Sequence, residues 1–146
     1  MEIQPNFHQL ISTMKETTLL TGQPSLDFSL LYEDRGAYLY ACVNGAQNEF
    51  EISIRAWAAI HRKTVEFGYR KLLVEDNFPN QLSTRETFKI GELLIKLFGK
   101  RTRVAHLDKN SAALEMNKLC ETAAINHSAD AKVFGNFKEA EQWLLR

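Results

Sequence analysis

Three places in the chain carry the same signature of helix entry. Asn48 stands three residues before Glu51, Ser83 before Glu86, and Asn136 before Glu139. A short polar side chain at such a position can accept a bond from an early backbone N–H, and the Glu can return one. Each signature opens a segment with apolar residues on one helical face. The first carries Ile54, Trp57, Ile60, Thr64 and Phe67. The second carries Phe88, Ile90, Leu93, Leu94, Leu97 and Phe98, and the last carries Ala140, Trp143 and Leu144. A further helix follows Asp108-Lys109-Asn110, with Leu114, Met116, Leu119, Cys120 and Ala123 mostly inward.

Short apolar runs separate these helices. Lys71 to Val74 follows Gly68, and Arg103 to Leu107 and Ala131 to Phe134 come later. Runs so short and so apolar fit strands buried on both faces, as parallel strands are. Upstream, Asp27 to Tyr32 and Tyr38 to Val43 read as two more strands. The turn between them, Glu33-Asp34-Arg35-Gly36, implies an antiparallel hairpin in which Gly36 takes a positive φ. The order is therefore β-β-α-β-α-β-α-β-α. It predicts an α/β fold with a mixed, mostly parallel sheet of about five strands, about four helices and right-handed crossovers.

A chain of 146 residues suits one domain. That domain covers residues 26–146. Residues 1–25 read as a tail or a short helix with Phe7, Leu10, Ile11 and Met14 at helical spacing, and Met14 is also a candidate start. Eighteen basic residues offset eighteen acidic ones, so no net field draws the chain to nucleic acid or an anionic membrane. The local cluster Lys96, Lys100, Arg101 and Arg103 suits the negative end of a helix dipole. No apolar run is long enough to span a bilayer, so no transmembrane segment is expected. The first twenty residues lack the pattern of a signal peptide, so the cytoplasm is the expected compartment. Cys42 and Cys120 read as buried free thiols there.

The motifs of several enzyme classes are absent from the sequence. There is no G-x-x-x-x-G-K-[ST] loop, no G-x-G-x-x-G and no G-x-S-x-G. His8, His61, His106 and His127 are scattered without metal-ligand spacing. His106 reads as a core or half-buried histidine, and His61, beside Arg62 and Lys63, as part of a solvated face. No catalytic residue, metal or cofactor is expected. Open α/β sheets bind ligands at the carboxyl ends of their strands. That rule puts Asn44, Glu75, Asp76, Asp108 and Lys109 on the rim of any ligand or partner site. Trp57, Phe67 and Phe88 are the candidates to line an apolar pocket, although core packing is the default reading for Trp57, as for Trp143, on its apolar helical stripe.

Several segments carry a family likeness. The hairpin ends in Val43-Asn44-Gly45, and an amphipathic helix leads into an apolar strand ending in acid, Leu72-Leu73-Val74-Glu75-Asp76. The next helix opens at Leu82-Ser83-Thr84, and the chain closes on Val133-Phe134-Gly135-Asn136 followed by a helix with Ala140 and Trp143-Leu144. In these features residues 26–146 resemble the SpoIIAA-like branch of the STAS superfamily. The resemblance implies a non-enzymatic regulatory module that binds a partner protein or a small ligand. It also implies a phosphoacceptor where that second helix begins, here Ser83 or Thr84. The family's common Asp and Gly around that position are Leu82 and Arg85 in this chain. A fold-level likeness to lipid-carrying CRAL-TRIO domains implies the alternative, a carrier of a lipid or other apolar small molecule. Symmetric pairing is common among soluble proteins, which makes a homodimer an expectation.

Overall fold

The computed structural model of the chain describes residues 14–18, 28–126 and 129–146. The hairpin strands are β2 (Phe28–Asp34) and β3 (Leu39–Gly45). Helix α1 (Phe50–Glu66), β4 (Lys71–Asp76), α2 (Thr84–Phe98), β5 (Arg103–Asp108), α3 (Ser111–Asn126), β6 (Ala131–Phe134) and α4 (Phe137–Leu144) follow. The order of strands and helices is the expected one, and so is the mixed sheet. β2 runs antiparallel to β3, and β3, β4, β5 and β6 are parallel neighbours in sequence order. Gly36 turns the hairpin at φ 79°, and Gly68 leaves α1 at φ 72°.

One strand was not expected. Met14–Thr18 forms β1, antiparallel to β2, at the edge of a six-stranded sheet. The sequence had suggested a tail or a helix ending near Met14. The outer edge of β2 offers backbone groups that a passing segment can satisfy, and that pairing outweighs a weak helical spacing. Phe7, Leu10 and Ile11 lie outside the described residues.

Sequential parallel strands joined by right-handed crossovers carry their helices on one face. α1, α2 and α3 are those helices. α4 returns across the opposite face, against β4, β5 and β6. Strand alternation then sorts the side chains. Leu72, Val74 and Val104 join Trp57, Ile60, Ile90 and Phe98 in one core. Leu73, Ala105, Leu107 and Phe134 join Tyr38, Tyr40, Ala140 and Leu144 in the other. Leu72 and Leu73 are both fully buried, and each contributes about 1.5–3 kcal/mol. Tyr38, just before β3, and Tyr40 within it therefore lie beneath α4.

The helix entries differ in detail. Ser83 and Glu86 form the full reciprocal box that the sequence predicts. Asn136 accepts a bond from the Glu139 N–H. Asn48 is no cap: α1 begins after Glu49, whose side chain makes no capping bond. The Asn48 carboxamide oxygen accepts instead from the Ser53 hydroxyl at 2.8 Å. No helix among the described residues is long and apolar enough to cross a membrane.

Candidate functional site

β4 and β5 end in register, so that Asp76 faces Asp108 across the two strands. His106 lies two residues before Asp108 and on the same side of the sheet. All three side chains turn toward α1, α2 and α3, where a cavity of about 100 Å³ opens. Trp57, Ile90, Leu94 and Phe98 supply its apolar wall, and Asp76, His106 and Asp108 its polar end. Asn48 and Asn80 also line it. The wall exists because the stripes of α1 and α2 face the same side of the sheet. The polar end exists because both strands finish in acid where the helices no longer cover them tightly.

Asp108 is buried. Its Oδ1 accepts from the Asn110 N–H at 2.9 Å, and its Oδ2 from Asn117 Nδ2 at 3.2 Å. Burial, and then the negative charge of Asp76, push its carboxyl above the ordinary range. Asp76 Oδ1 accepts from the Phe78 N–H at 3.1 Å. Its Oδ2 lies 3.6 Å from His106 Nε2. That nitrogen is buried and has no hydrogen-bond partner among the described residues. The Trp57 ring meets the imidazole edge-on, with centroids 5.3 Å apart.

Comparison with family models, curated proteins and solved structures finds no match. The site is therefore read from its own geometry.

A second polar group lies on the α4 face of the same strand ends. Glu75 Oε2 accepts from the Tyr40 hydroxyl at 3.1 Å and from Asn77 Nδ2 at 3.2 Å. Lys109 Nζ lies 3.5 Å from Glu75 Oε1. Asn77 also donates to Asn44 Oδ1 at 3.1 Å and to Cys42 Sγ at 3.2 Å. Burial pushes the Cys42 thiol up. These bonds are made inside the cluster, which fastens the loop after β4 to the end of β3.

The rim expected at the strand ends is thus two separate places. Asp76 and Asp108 enter the cavity. Asn44, Glu75 and Lys109 lie on the other face, because alternate residues of a strand point opposite ways. Trp57 packs in the core on that face and also lines the cavity. Phe67 and Phe88 do not line it. Phe67 follows the last turn of α1, near the amino ends of the strands, with Lys63 Nζ 5.4 Å from its ring centre. Phe88 faces solvent at 39% exposure. Ser83 and Thr84 are exposed at the entry of α2, and the Ser83 hydroxyl is engaged in the capping box.

His106 is the residue that sequence reasoning passed over. It does sit in the sheet, but it belongs to the polar end of the cavity. The signal was its spacing: a His two residues before a strand-end Asp shares that Asp's face. His61 is half-buried with its ring edge-on to Phe98 at 5.2 Å, where a solvated position was expected. Cys42 is a buried free thiol. Cys120 falls within α3, and its side chain lies outside the described residues.

Proposed function

We propose that this chain is a non-enzymatic, cytoplasmic small-ligand-binding module of SpoIIAA-like type. Its ligand sits between the sheet and α1–α3. The observation that carries the reading is the cavity itself. One side is apolar, and the other gathers three chemically active side chains at the carboxyl ends of parallel strands. Ligand sites of open α/β sheets combine those traits. The strand and helix order supports the SpoIIAA-like assignment. The volume favours a small metabolite with a polar end over a long-chain lipid. About 100 Å³ of accessible space holds several waters or a compact organic group.

Native mass spectrometry of the protein from its own cells tests this. The expected result is an added small-molecule mass that is lost on denaturation and absent from Leu94→Trp, which fills the cavity. A wild-type protein carrying no such mass, with a Trp143→Phe variant showing no Trp57 fluorescence change across a metabolite library, would overturn the reading.

A further inference from the structure

We infer that Asp76, His106 and Asp108 form a binding site for one divalent transition-metal cation at the polar end of the cavity. The three residues each offer a ligand atom, and those atoms all lie within 4.8 Å of one another. They come from the ends of two adjacent strands whose register is fixed by backbone pairing. The site is therefore held by two paired central strands.

The spacing is that of ligands rather than of hydrogen-bonded partners. Asp76 Oδ2 and His106 Nε2 stand 3.6 Å apart, beyond a good hydrogen bond. A tetrahedral ion with bonds of about 2.0–2.1 Å separates its ligands by about 3.3–3.5 Å. The Asp76–His106 pair is already near that separation, and the wider pairs, within 4.8 Å, draw inward to close around an ion. The lone pairs are also in place. Asp76 spends Oδ1 on the Phe78 N–H, which leaves Oδ2 toward His106. His106 Nε2 is buried and makes no hydrogen bond among the described residues. A buried nitrogen in that state costs stability unless something occupies it.

Charge points the same way. Two carboxylates beside each other in a partly dry site repel, and a dication between them reverses the sign of the interaction. Asn117 and the Asn110 N–H already hold Asp108 in one orientation. Such outer bonds are how proteins aim metal ligands. One imidazole with two carboxylates suits manganese, iron(II), cobalt or zinc. It is poor for calcium, which takes six to eight oxygens, and for soft copper(I). Three protein ligands leave coordination positions open toward the cavity. The inference stands apart from the ligand reading above, since the ion needs only these three side chains.

The test titrates chelator-stripped, full-length protein with Mn²⁺, Zn²⁺ and Co²⁺ separately, by calorimetry and by Co²⁺ visible absorption. One ion per chain is expected, with affinity at least tenfold weaker in Asp76→Asn, His106→Gln and Asp108→Asn. Glu75→Gln, on the opposite face, keeps wild-type affinity. Circular dichroism shows whether each variant folds. A readout that leaves the three ligands intact uses Trp143→Phe, in which Trp57 is the only tryptophan: Co²⁺ quenches its fluorescence at one equivalent. Absence of binding by all three ions, binding that the ligand variants do not weaken, or Trp57 emission untouched by bound Co²⁺ would each overturn the site. None of these results bears on whether an organic ligand fills the apolar part.

Discussion

Asn48 and Asn80 are clamped to each other through a single carboxamide. Asn80 Oδ1 accepts from the Asn48 backbone N–H at 2.6 Å, and Asn80 Nδ2 donates to the Asn48 carbonyl at 2.9 Å. The pair ties the loop after β3 to the loop after β4, at the cavity. Asn48 is buried, so its backbone groups have little water to fall back on. Asn80→Ala orphans both groups and is expected to cost about 1–3 kcal/mol. Asn80→Asp keeps the acceptor but turns a carboxylate oxygen toward the Asn48 carbonyl, so it is also expected to fall below wild type. Urea denaturation reads this as a lower midpoint with an unchanged slope. A change of less than about 0.5 kcal/mol in Asn80→Ala would show that the clamp is not needed.

Ser83 separates a structural cap from a phosphate switch. Its Oγ accepts from the Glu86 N–H at 3.2 Å and donates to Glu86 Oε1 at 2.9 Å. Ser83→Ala removes the cap and is expected to cost about 1 kcal/mol. Asp caps as well as Ser and suits the positive end of the helix, but it cannot donate to Glu86 Oε1 and sets a second carboxylate beside it, so Ser83→Asp is expected to stay folded within about 1 kcal/mol of wild type in thermal melts. If it does, any altered partner binding by Ser83→Asp reports recognition and not unfolding. A strongly destabilised Ser83→Asp would contradict the exposed position of this cap.

The alternation of strands and helices was legible because its signals are local. Apolar runs, glycine breaks and the Ser83 box each depend on a few adjacent residues. The cavity was less legible because its residues meet only across strands. Asp76 and His106 are thirty positions apart in sequence, and only parallel register brings them together. Phe88 shows a different limit. The apolar pattern groups it with Ile90 on one stripe, but two residues turn a helix by about 200°. Ile90 then faces the core and Phe88 faces water. Asn48 and Glu51 matched a capping box by spacing, yet Ser53 and Asn80 offered Asn48 better-buried partners. Sequence spacing cannot rank such competitors, because one of them arrives from another loop.

Alkaline pH is expected to weaken the fold steeply. Tyr38, Tyr40 and Tyr69 are buried, and desolvation raises each phenol from its ordinary 10.0. Hydrogen bonds to Glu141, Glu75 and Asp34 respectively add to the rise. The unfolded chain releases these protons near pH 10, and the folded chain retains them. The unfolded state thus binds fewer protons above that pH, and stability falls as pH rises. At pH 7 to 9 the three phenols stay protonated in both states and contribute no slope. Absorbance at 295 nm should rise together with loss of the circular dichroism signal, in one transition. Phenolate absorbance appearing before unfolding would contradict the burial of these rings.

Asp108→Asn is expected to stabilise the metal-free protein while it removes a cation ligand. Asp108 is at 4% exposure, next to Asp76 on the neighbouring strand. Its raised pKa means that the charged carboxylate is less comfortable in the fold than in water. The Asn oxygen can still accept from the Asn110 N–H, and its amide can donate toward Asp76. The substitution therefore removes a repulsion and keeps the Asn110 bond, while the Asn117 carboxamide, which donates to Oδ2 in wild type, turns over to present its oxygen to the new amide. With chelator at neutral pH, the melting temperature should rise by on the order of a few degrees. Residues kept for function at a cost to stability behave this way. Adding Mn²⁺ or Zn²⁺ should invert the order, because the ion stabilises wild type by mass action and Asp108→Asn only weakly. Differential scanning calorimetry with and without the ion measures both halves. A variant less stable than wild type under chelation would show that Asp108 is held as a structural anion for Asn110 and Asn117.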